Sequence, residues 1–154
     1  MIRFAQIRDI PQLGSLLEQV NLVHHLGRPD LFKKGKKYTD DELALLLGDA
    51  DRPILVWTDE ADITRGYAFC VLQQHRDSNL MTDIKTLYVD DLCVDESMRG
   101  RHIGSALYEA VLELARKEGC YNVTLNVWSC NPSALRFYEK CGLVPQKIGL
   151  EKIL

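Results

Sequence analysis

The sequence lacks any apolar run long enough to cross a bilayer, although 46% of its 154 residues are hydrophobic. Its first residues, Met-Ile-Arg-Phe-Ala, lead directly into a folded pattern and lack the charged and then apolar regions of a signal peptide. Internal repeats and low-complexity segments are missing as well. We therefore expect one domain over residues 1–154, a cytoplasmic location and no membrane partner.

The sequence also lacks the signals of metal and nucleic-acid binding. Its five cysteines form no C-x-x-C pair and no ligand spacing with the four histidines, so we expect no metal site. Their odd number suits reduced, mostly buried thiols rather than a disulfide framework. The net charge of −3 and the pI near 5.8 do not provide the basic field that nucleic-acid-binding domains generally carry.

One segment, residues 94–107, has the features of an anion-binding turn and reads V-D-E-S-M-R-G-R-H-I-G-S-A-L. A strand end, a turn rich in glycine and arginine, and the start of an amphipathic helix follow one another there. Such a turn points backbone N–H groups into one concavity, and the helix adds its unpaired first-turn donors. The segment favours a phosphate or pyrophosphate site; a tight connection without a ligand is the structural alternative.

A second motif covers residues 131–143 and reads N-P-S-A-L-R-F-Y-E-K-C-G-L. Asn131 suits a helix N-cap, Pro132 the first helical position and Gly142 the helix end. With both motifs, the chain resembles the GNAT superfamily of N-acetyltransferases that use acyl-CoA. Residues 99–104, R-G-R-H-I-G, are similar to the family's R/Q-x-x-G-x-G/A pyrophosphate loop. His102 departs from that pattern, because the family usually has glycine there.

The predicted elements follow the order β-α-α-β-β-β-α-β-α-β. Composition and alternation predict strands over residues 2–6, 53–58, 66–74, 87–94, 122–128 and 144–154. Helical periodicity predicts helices over residues 10–26, 40–47 and 103–118, and the last motif adds one from residue 131. The resemblance implies a mixed α/β (α+β) fold: a central, largely antiparallel sheet with helices on both faces, split where the cofactor inserts.

The resemblance implies acetyl-CoA as the cofactor and assigns residues to it. A backbone N–H of Cys93 or Val94 would polarise the thioester carbonyl at the strand end. Asn131 would contact the pantetheine arm, or it serves only as an N-cap. The residues predicted to bind the cofactor are Leu92, Cys93, Val94, Arg99, Gly100, Arg101, His102, Ile103, Gly104, Ser105, Asn131 and Tyr138.

Tyr138 matches the family's frequent general acid, whose phenol protonates the leaving thiolate. The alternative is an aromatic packing residue beside Phe137. Asp90 and Asp91 resemble the strand acids that bind a cationic amine or relay its proton. Adjacent strand residues point to opposite faces, so we expect only one of these acids to face the cleft.

Between the two acids, alternation slightly favours Asp90, on the face of Tyr88, Leu92 and Val94. Solvation, or an ion pair with Lys85 or Arg101, is the structural alternative for the acids.

The acceptor is the least determined feature. We expect an acetyltransferase for a primary amine of a small molecule such as a polyamine or amino sugar. The alternatives are a protein acetyltransferase acting on an N-terminus or a lysine, and a non-catalytic acyl-CoA-binding sensor. A homodimer is compatible with the resemblance. Candidates for acceptor recognition lie in the region between the first two helices and in the strand hairpin: His24, His25, Arg28, Tyr38 and Trp57.

Overall fold

One five-stranded sheet organises the chain in the computed structural model, which describes all of residues 1–154. Its strands lie in chain order: β1 (Ile2–Phe4), β2 (Ile54–Thr58), β3 (Thr64–Gln74), β4 (Lys85–Val94) and β5 (Asn122–Leu125). The pairs from β1 to β4 are antiparallel, and β5 joins β4 in parallel. The prediction of a mixed, largely antiparallel sheet is therefore confirmed.

Four α-helices pack around this sheet: α1 (Ile10–Gly27), α2 (Asp40–Leu47), α3 (Ile103–Lys117) and α4 (Pro132–Lys140). Local sequence explains two of their starts. The Thr39 hydroxyl accepts from the Glu42 N–H while the Glu42 carboxylate accepts from the Thr39 N–H, which is a capping box. Asn131 caps α4 through the Ala134 N–H. None of the helices combines the length and the apolar character that crossing a bilayer requires.

Alternate strand residues supply two cores, one on each side of the sheet. On the side of α1 and α2, called the α1 face, the core is Leu13, Leu16, Leu17, Leu43, Ile54, Val56, Tyr67, Phe69 and Cys93. On the side of α3, called the α3 face, it is Leu55, Ala68, Cys70, Leu87, Val89, Ile103, Leu107, Val111 and Ala115. The predicted helices on both faces are confirmed.

The strand predicted over residues 144–154 is wrong. That segment has no regular structure, its backbone makes no hydrogen bond within the chain, and its apolar side chains, such as Ile148 and Leu150, are exposed. The composition favours a strand, but a strand needs a neighbour, and this chain brings none to the segment. We call residues 144–154 the C-terminal tail.

A β-bulge in β4 determines which way the site residues point. Phe69 pairs with Asp91, whereas the next residue, Cys70, pairs with Val89, so Asp90 is an extra residue in β4. Val89 packs in the α3-face core and Cys93 in the α1-face core, although strict alternation would place them on one face. The bulge therefore reverses the side-chain pattern along the strand.

Candidate active site

A gap opens in the sheet where two parallel strands part. β4 and β5 pair only from Thr86 with Asn122 to Val89 with Leu125. β4 then continues to Val94 beside β3, while the chain after Leu125 leaves the sheet. We call this gap the β4/β5 split. It leaves the outer edge of β4, including Leu92, Cys93 and Val94, without a strand neighbour, so an extended ligand arm can lie there.

The loop between β4 and α3 presents unpaired donors. None of the backbone N–H groups from Arg99 to Ser105 donates a hydrogen bond within the chain; the Ala106 N–H, bonded to the His102 carbonyl at 3.0 Å, is the first that does. The Arg99 and Arg101 side chains take part in no hydrogen bond or ion pair within the chain. A run of free donors at a helix N-terminus, flanked by two free guanidinium groups, fits a pyrophosphate.

His102 has a left-handed backbone, with φ +58° and ψ 20°, at the N-cap of α3. The loop therefore requires at this position the conformation for which glycine is suited. A histidine there costs on the order of 1 kcal/mol, and its side chain forms no cap hydrogen bond that would offset this. Ile103, by contrast, is buried under the loop in the α3-face core.

Gly104 matters for the packing of its neighbours and not for a left-handed backbone. A Cβ atom there would lie 3.4 Å from Phe137 Cζ and 3.7 Å from Val94 Cγ2. These are ordinary van der Waals distances, so Phe137 of α4 and Val94 of β4 both pack against the start of α3. This packing places α4, which carries Tyr138, beside the end of β4 and therefore beside the split.

Tyr138 is almost buried, and its ring packs edge-on against Phe137 with centroids 5.1 Å apart. Its hydroxyl makes no hydrogen bond within the chain, and solvent can reach the hydroxyl oxygen. Burial raises the pKa of Tyr138, and the nearby Asp91 carboxylate raises it further. The phenol is therefore a protonated donor that has no partner in the protein.

Asp90 and Asp91 both lie on the α1 face, so the prediction of opposite faces is wrong. Asp90 accepts from Lys37 Nζ at 2.9 Å and from the Tyr38 hydroxyl at 2.7 Å. Asp91 accepts from the Tyr67 hydroxyl at 2.9 Å, and that tyrosine belongs to the α1-face core. The bulge is the reason, since it inserts one residue and turns both carboxylates to the same side.

The finer expectations for Asp90 are also corrected. Leu92 and Val94 pack against the α3-face core, so they do not share a face with Asp90. The ion-pair partner of Asp90 is Lys37, and neither Lys85 nor Arg101 pairs with it. Lys85 pairs with Glu118 instead. Alternation misled the expectation about the shared face because it assumes an unbroken strand.

Asp91 has the electrostatics of a base that titrates near neutrality. Burial raises its pKa to about 6, and the hydrogen bond from Tyr67 and the charge of Lys37 oppose that rise. After burial, the Asp91 charge is the largest influence that raises the pKa of Tyr138. The site thus brings together a carboxylate that is ionised at pH 7 and a phenol that is not.

Residues 28–39, here called the bridging segment, contact both sides of the split on the α1 face. Tyr38 stacks on Phe69 with ring centroids 5.6 Å apart and bonds Asp90 of β4. Phe32 packs edge-on against Trp128, beyond β5, with centroids 5.0 Å apart. These contacts enclose the side of the split that the two carboxylates face.

The residues predicted to recognise the acceptor lie in different places and have different contacts. His24 packs against Phe32, and the His25 ring nitrogen Nδ1 contacts the Phe32 carbonyl at 2.7 Å, so both support the bridging segment. Arg28 pairs with Asp30 and with Glu151 of the C-terminal tail. Trp57 lies on β2 and packs against the α3-face core, away from the carboxylates.

Sequence reasoning missed Lys37 and Tyr67, which hold the two acids. Tyr67 lies in an apolar strand and has no local signal. Lys37 is one of four lysines in a short basic run, Lys33, Lys34, Lys36 and Lys37, and nothing local distinguishes it from the others. Both contacts join residues far apart in the chain, so no short-range pattern could reveal them.

Comparison with known proteins identifies the family. The family model described as acetyltransferase (GNAT) family matches residues 20–143. Glucosamine 6-phosphate N-acetyltransferase 1 of Oryza sativa subsp. japonica is 32% identical over 151 residues, which cover 97% of this chain and 84% of that protein. The chain therefore belongs to the GNAT family of N-acetyltransferases, enzymes that use acetyl-CoA.

Solved structures share the fold over the whole chain. A mutant form of the BH1408 protein from Bacillus halodurans superposes with a TM-score of 0.95 and 29% identity, covering 100% of this chain and 99% of that chain. The aminoglycoside N-acetyltransferase AAC(6')-Iy, solved in complex with CoA, has a TM-score of 0.75 at 12% identity and covers 100% and 98%. The second likeness concerns the fold alone.

Proposed function

We propose that this enzyme transfers the acetyl group of acetyl-CoA to the primary amine of a small amino sugar that also carries an anionic group. Asp91 accepts a proton from the amine, directly or through water, and the Tyr138 hydroxyl donates a proton to the departing sulfur. The observation that supports this proposal is that Asp91, on β4, and the unpartnered hydroxyl of Tyr138, on α4, belong to elements that meet at the end of β4, where Phe137 and Val94 both lie against Gly104.

The cofactor-binding assignment draws on the loop and the split. Acetyl-CoA supplies the acetyl group already activated as a thioester. The N–H groups between Arg99 and Ser105 would hold its pyrophosphate, and the free edge of β4 at Leu92, Cys93 and Val94 would hold its pantetheine arm. Asn131 caps α4 through its side-chain oxygen, which leaves its amide nitrogen free for the same arm.

Charge around the carboxylates favours an amino sugar over a polyamine. Asp90 is already neutralised by Lys37 and bonded by Tyr38, so Asp91 is the one acid left for a cationic amine. Lys37 also places a cation beside that amine site, which repels a polyamine and attracts an acceptor with a second, anionic group. The name of the Oryza sativa relative, a glucosamine 6-phosphate N-acetyltransferase, describes such an acceptor.

A protein acceptor is less compatible with this arrangement. The bridging segment contacts both sides of the split, which narrows the space on the α1 face for an extended peptide. A non-catalytic sensor would not need a base and an acid beside the thioester site.

The test is acetyl transfer measured as release of free CoA thiol, with amino sugars, their phosphates, polyamines and peptides as acceptors. We expect release with a phosphorylated amino sugar and a rise in Tm with acetyl-CoA, because a ligand that binds only the folded state stabilises it. Tyr138→Phe should lower kcat about ten-fold or more.

Turnover only with polyamines or peptides would overturn the acceptor assignment. A Tyr138→Phe variant with unchanged kcat at saturating acceptor would remove the phenol from the mechanism. No change in Tm at millimolar acetyl-CoA would mean that the loop does not bind the cofactor.

A further inference from the structure

Lys37 presents an amine beside the site at which the proposed acceptor's ammonium group would bind. Its Nζ atom donates to Asp90 Oδ1 at 2.9 Å and lies 5.7 Å from the centroid of the Tyr38 ring. Its charge also lowers the pKa of Asp91, so it is within electrostatic reach of the proposed base. A cation held by a carboxylate beside an aromatic ring is the arrangement by which proteins bind amine ligands.

We infer that Lys37 is an intramolecular acceptor: in the absence of an amine substrate, the enzyme acetylates Lys37 Nζ within the same chain. This inference depends on the proposed function, because it uses the same base and acid. The lysine stem has four rotatable bonds, and its side chain is 43% exposed, so the amine can leave Asp90 and turn toward the split.

The reaction is balanced without another reactant. Lys37 Nζ loses one proton to Asp91 or to water through it, and its lone pair forms a bond to the acyl carbon. The carbon–sulfur bond breaks with its electron pair on sulfur, which takes the Tyr138 proton. The second proton of the new amide nitrogen leaves to solvent, and Tyr138 regains a proton from solvent. Because the ion pair with Asp90 must break before the amine can reach the thioester, this reaction is slower than transfer to a good acceptor.

The experiment is incubation of the full chain with acetyl-CoA alone, followed by intact-mass analysis and peptide mapping. We expect one acetyl group, on Lys37, with a first-order rate constant that does not depend on protein concentration. Tyr138→Phe should slow the modification about ten-fold. Lys37→Arg keeps the charge and should abolish it. The matched control is Lys34→Arg, a change in the same basic run that should leave Lys37 acetylation as it was.

Acetyl groups scattered over the exposed lysines, or a rate proportional to protein concentration, would overturn the inference. So would an unmodified Lys37 in a preparation that releases CoA thiol with an amine acceptor, a result that leaves the proposed function intact. Failure of both Lys37 acetylation and acceptor turnover would overturn the proposed function together with the inference.

Discussion

At the scale of single residues, the two adjacent acids differ because their hydrogen-bond partners differ. Asp90 is held by Lys37 and Tyr38 near the surface of the α1 face, and Asp91 by the fully buried Tyr67. Burial raises the pKa of Asp91 to about 6, above the 3.8 of an unperturbed aspartate. A residue with that pKa can accept a proton at pH 7 and release it again readily.

The pH dependence of activity identifies the base. If Asp91 must be ionised, kcat/KM rises with pH through about 6 and is flat above it. Tyr67→Phe removes a hydrogen bond that lowers the pKa of Asp91, so the rising limb should move to higher pH. The matched control is Tyr38→Phe, which removes a hydrogen bond to Asp90 and should leave the limb in place. The reverse pattern would make Asp90 the base.

The same pKa makes a prediction for stability. The folded state holds the Asp91 proton more tightly than the unfolded state, so between about pH 4 and 6 this residue's contribution favours folding less as pH rises. Above pH 6 the ionised carboxylate of Asp91 lowers the free energy of unfolding by an amount that no longer changes with pH. Asp91→Asn should therefore raise the free energy of unfolding at pH 7 by about 1–2 kcal/mol while abolishing most activity. Chemical denaturation at pH 7 measures it, and a less stable Asp91→Asn protein would contradict the burial argument.

The strain at His102 is also measurable. His102→Gly should raise the free energy of unfolding by about 0.5–1 kcal/mol, because glycine adopts φ +58° without the Cβ clash. Gly100→Ala is the converse control, since its φ is +79° and open space surrounds the added Cβ, so any loss of stability comes from the backbone alone. Urea unfolding of both variants checks this, and a destabilised His102→Gly protein would show that the imidazole contributes more than it costs.

At the scale of elements, β4 and α4 form the site together. The bulge in β4 turns two acids to one face, and the early end of β5 at Leu125 opens the split. Phe137 and Val94 both pack against Gly104, so α4, which carries Tyr138, lies beside the end of β4. The geometry of the candidate site thus depends on where two strands part and on how α4 packs against α3.

Asn131 tests whether the start of α4 also serves the cofactor. Asn131→Ala should lower the free energy of unfolding by about 1 kcal/mol through loss of the N-cap. Asn131→Ser keeps a capping oxygen and should restore stability. We expect the KM for acetyl-CoA to stay raised in both variants, because serine cannot reproduce the amide. A normal KM in Asn131→Ser would reduce the role of Asn131 to capping.

At the scale of the whole molecule, the C-terminal tail has no packing partner for its apolar side chains, and β5 has no strand partner at its outer edge. The tail carries exposed apolar residues, Leu150 at 92% among them, and its backbone has no regular structure and no hydrogen bond in the chain. β5 is the last strand of the sheet and has a free outer edge. An unpaired edge and an unpaired apolar segment favour association between copies.

We therefore expect a homodimer in which each tail packs on the partner copy. Light scattering after size exclusion should give twice the 17.6 kDa chain mass, and removal of residues 144–154 should give the monomer. The double change Ile148→Ser and Leu150→Ser should weaken the dimer, whereas Leu80→Ser, at an exposed position elsewhere, should not. A monomeric full-length chain would contradict this expectation.

Much of the fold and part of the site follow from local patterns. The helix over Asp40–Leu47 was predicted with its bounds, since Thr39 and Glu42 are a local capping box. The unpaired loop donors and the cap by Asn131 agree with the motifs that placed the chain in its family. The faces of Asp90 and Asp91 were predicted wrongly, because a bulge depends on the partner strand and leaves no mark in β4 itself.

The sequence by itself determined the family, the cofactor, the helix starts and the position of Tyr138, because each depends on residues close together in the chain. The tertiary structure alone decided that two acids share one face, that Lys37 pairs with one and Tyr67 with the other, and that the C-terminal tail lacks a strand neighbour. The physical reason is the separation in sequence between the residues that interact. Caps and loops are formed by neighbours in sequence, whereas register, burial and charge pairing are set by elements that meet only when the chain folds.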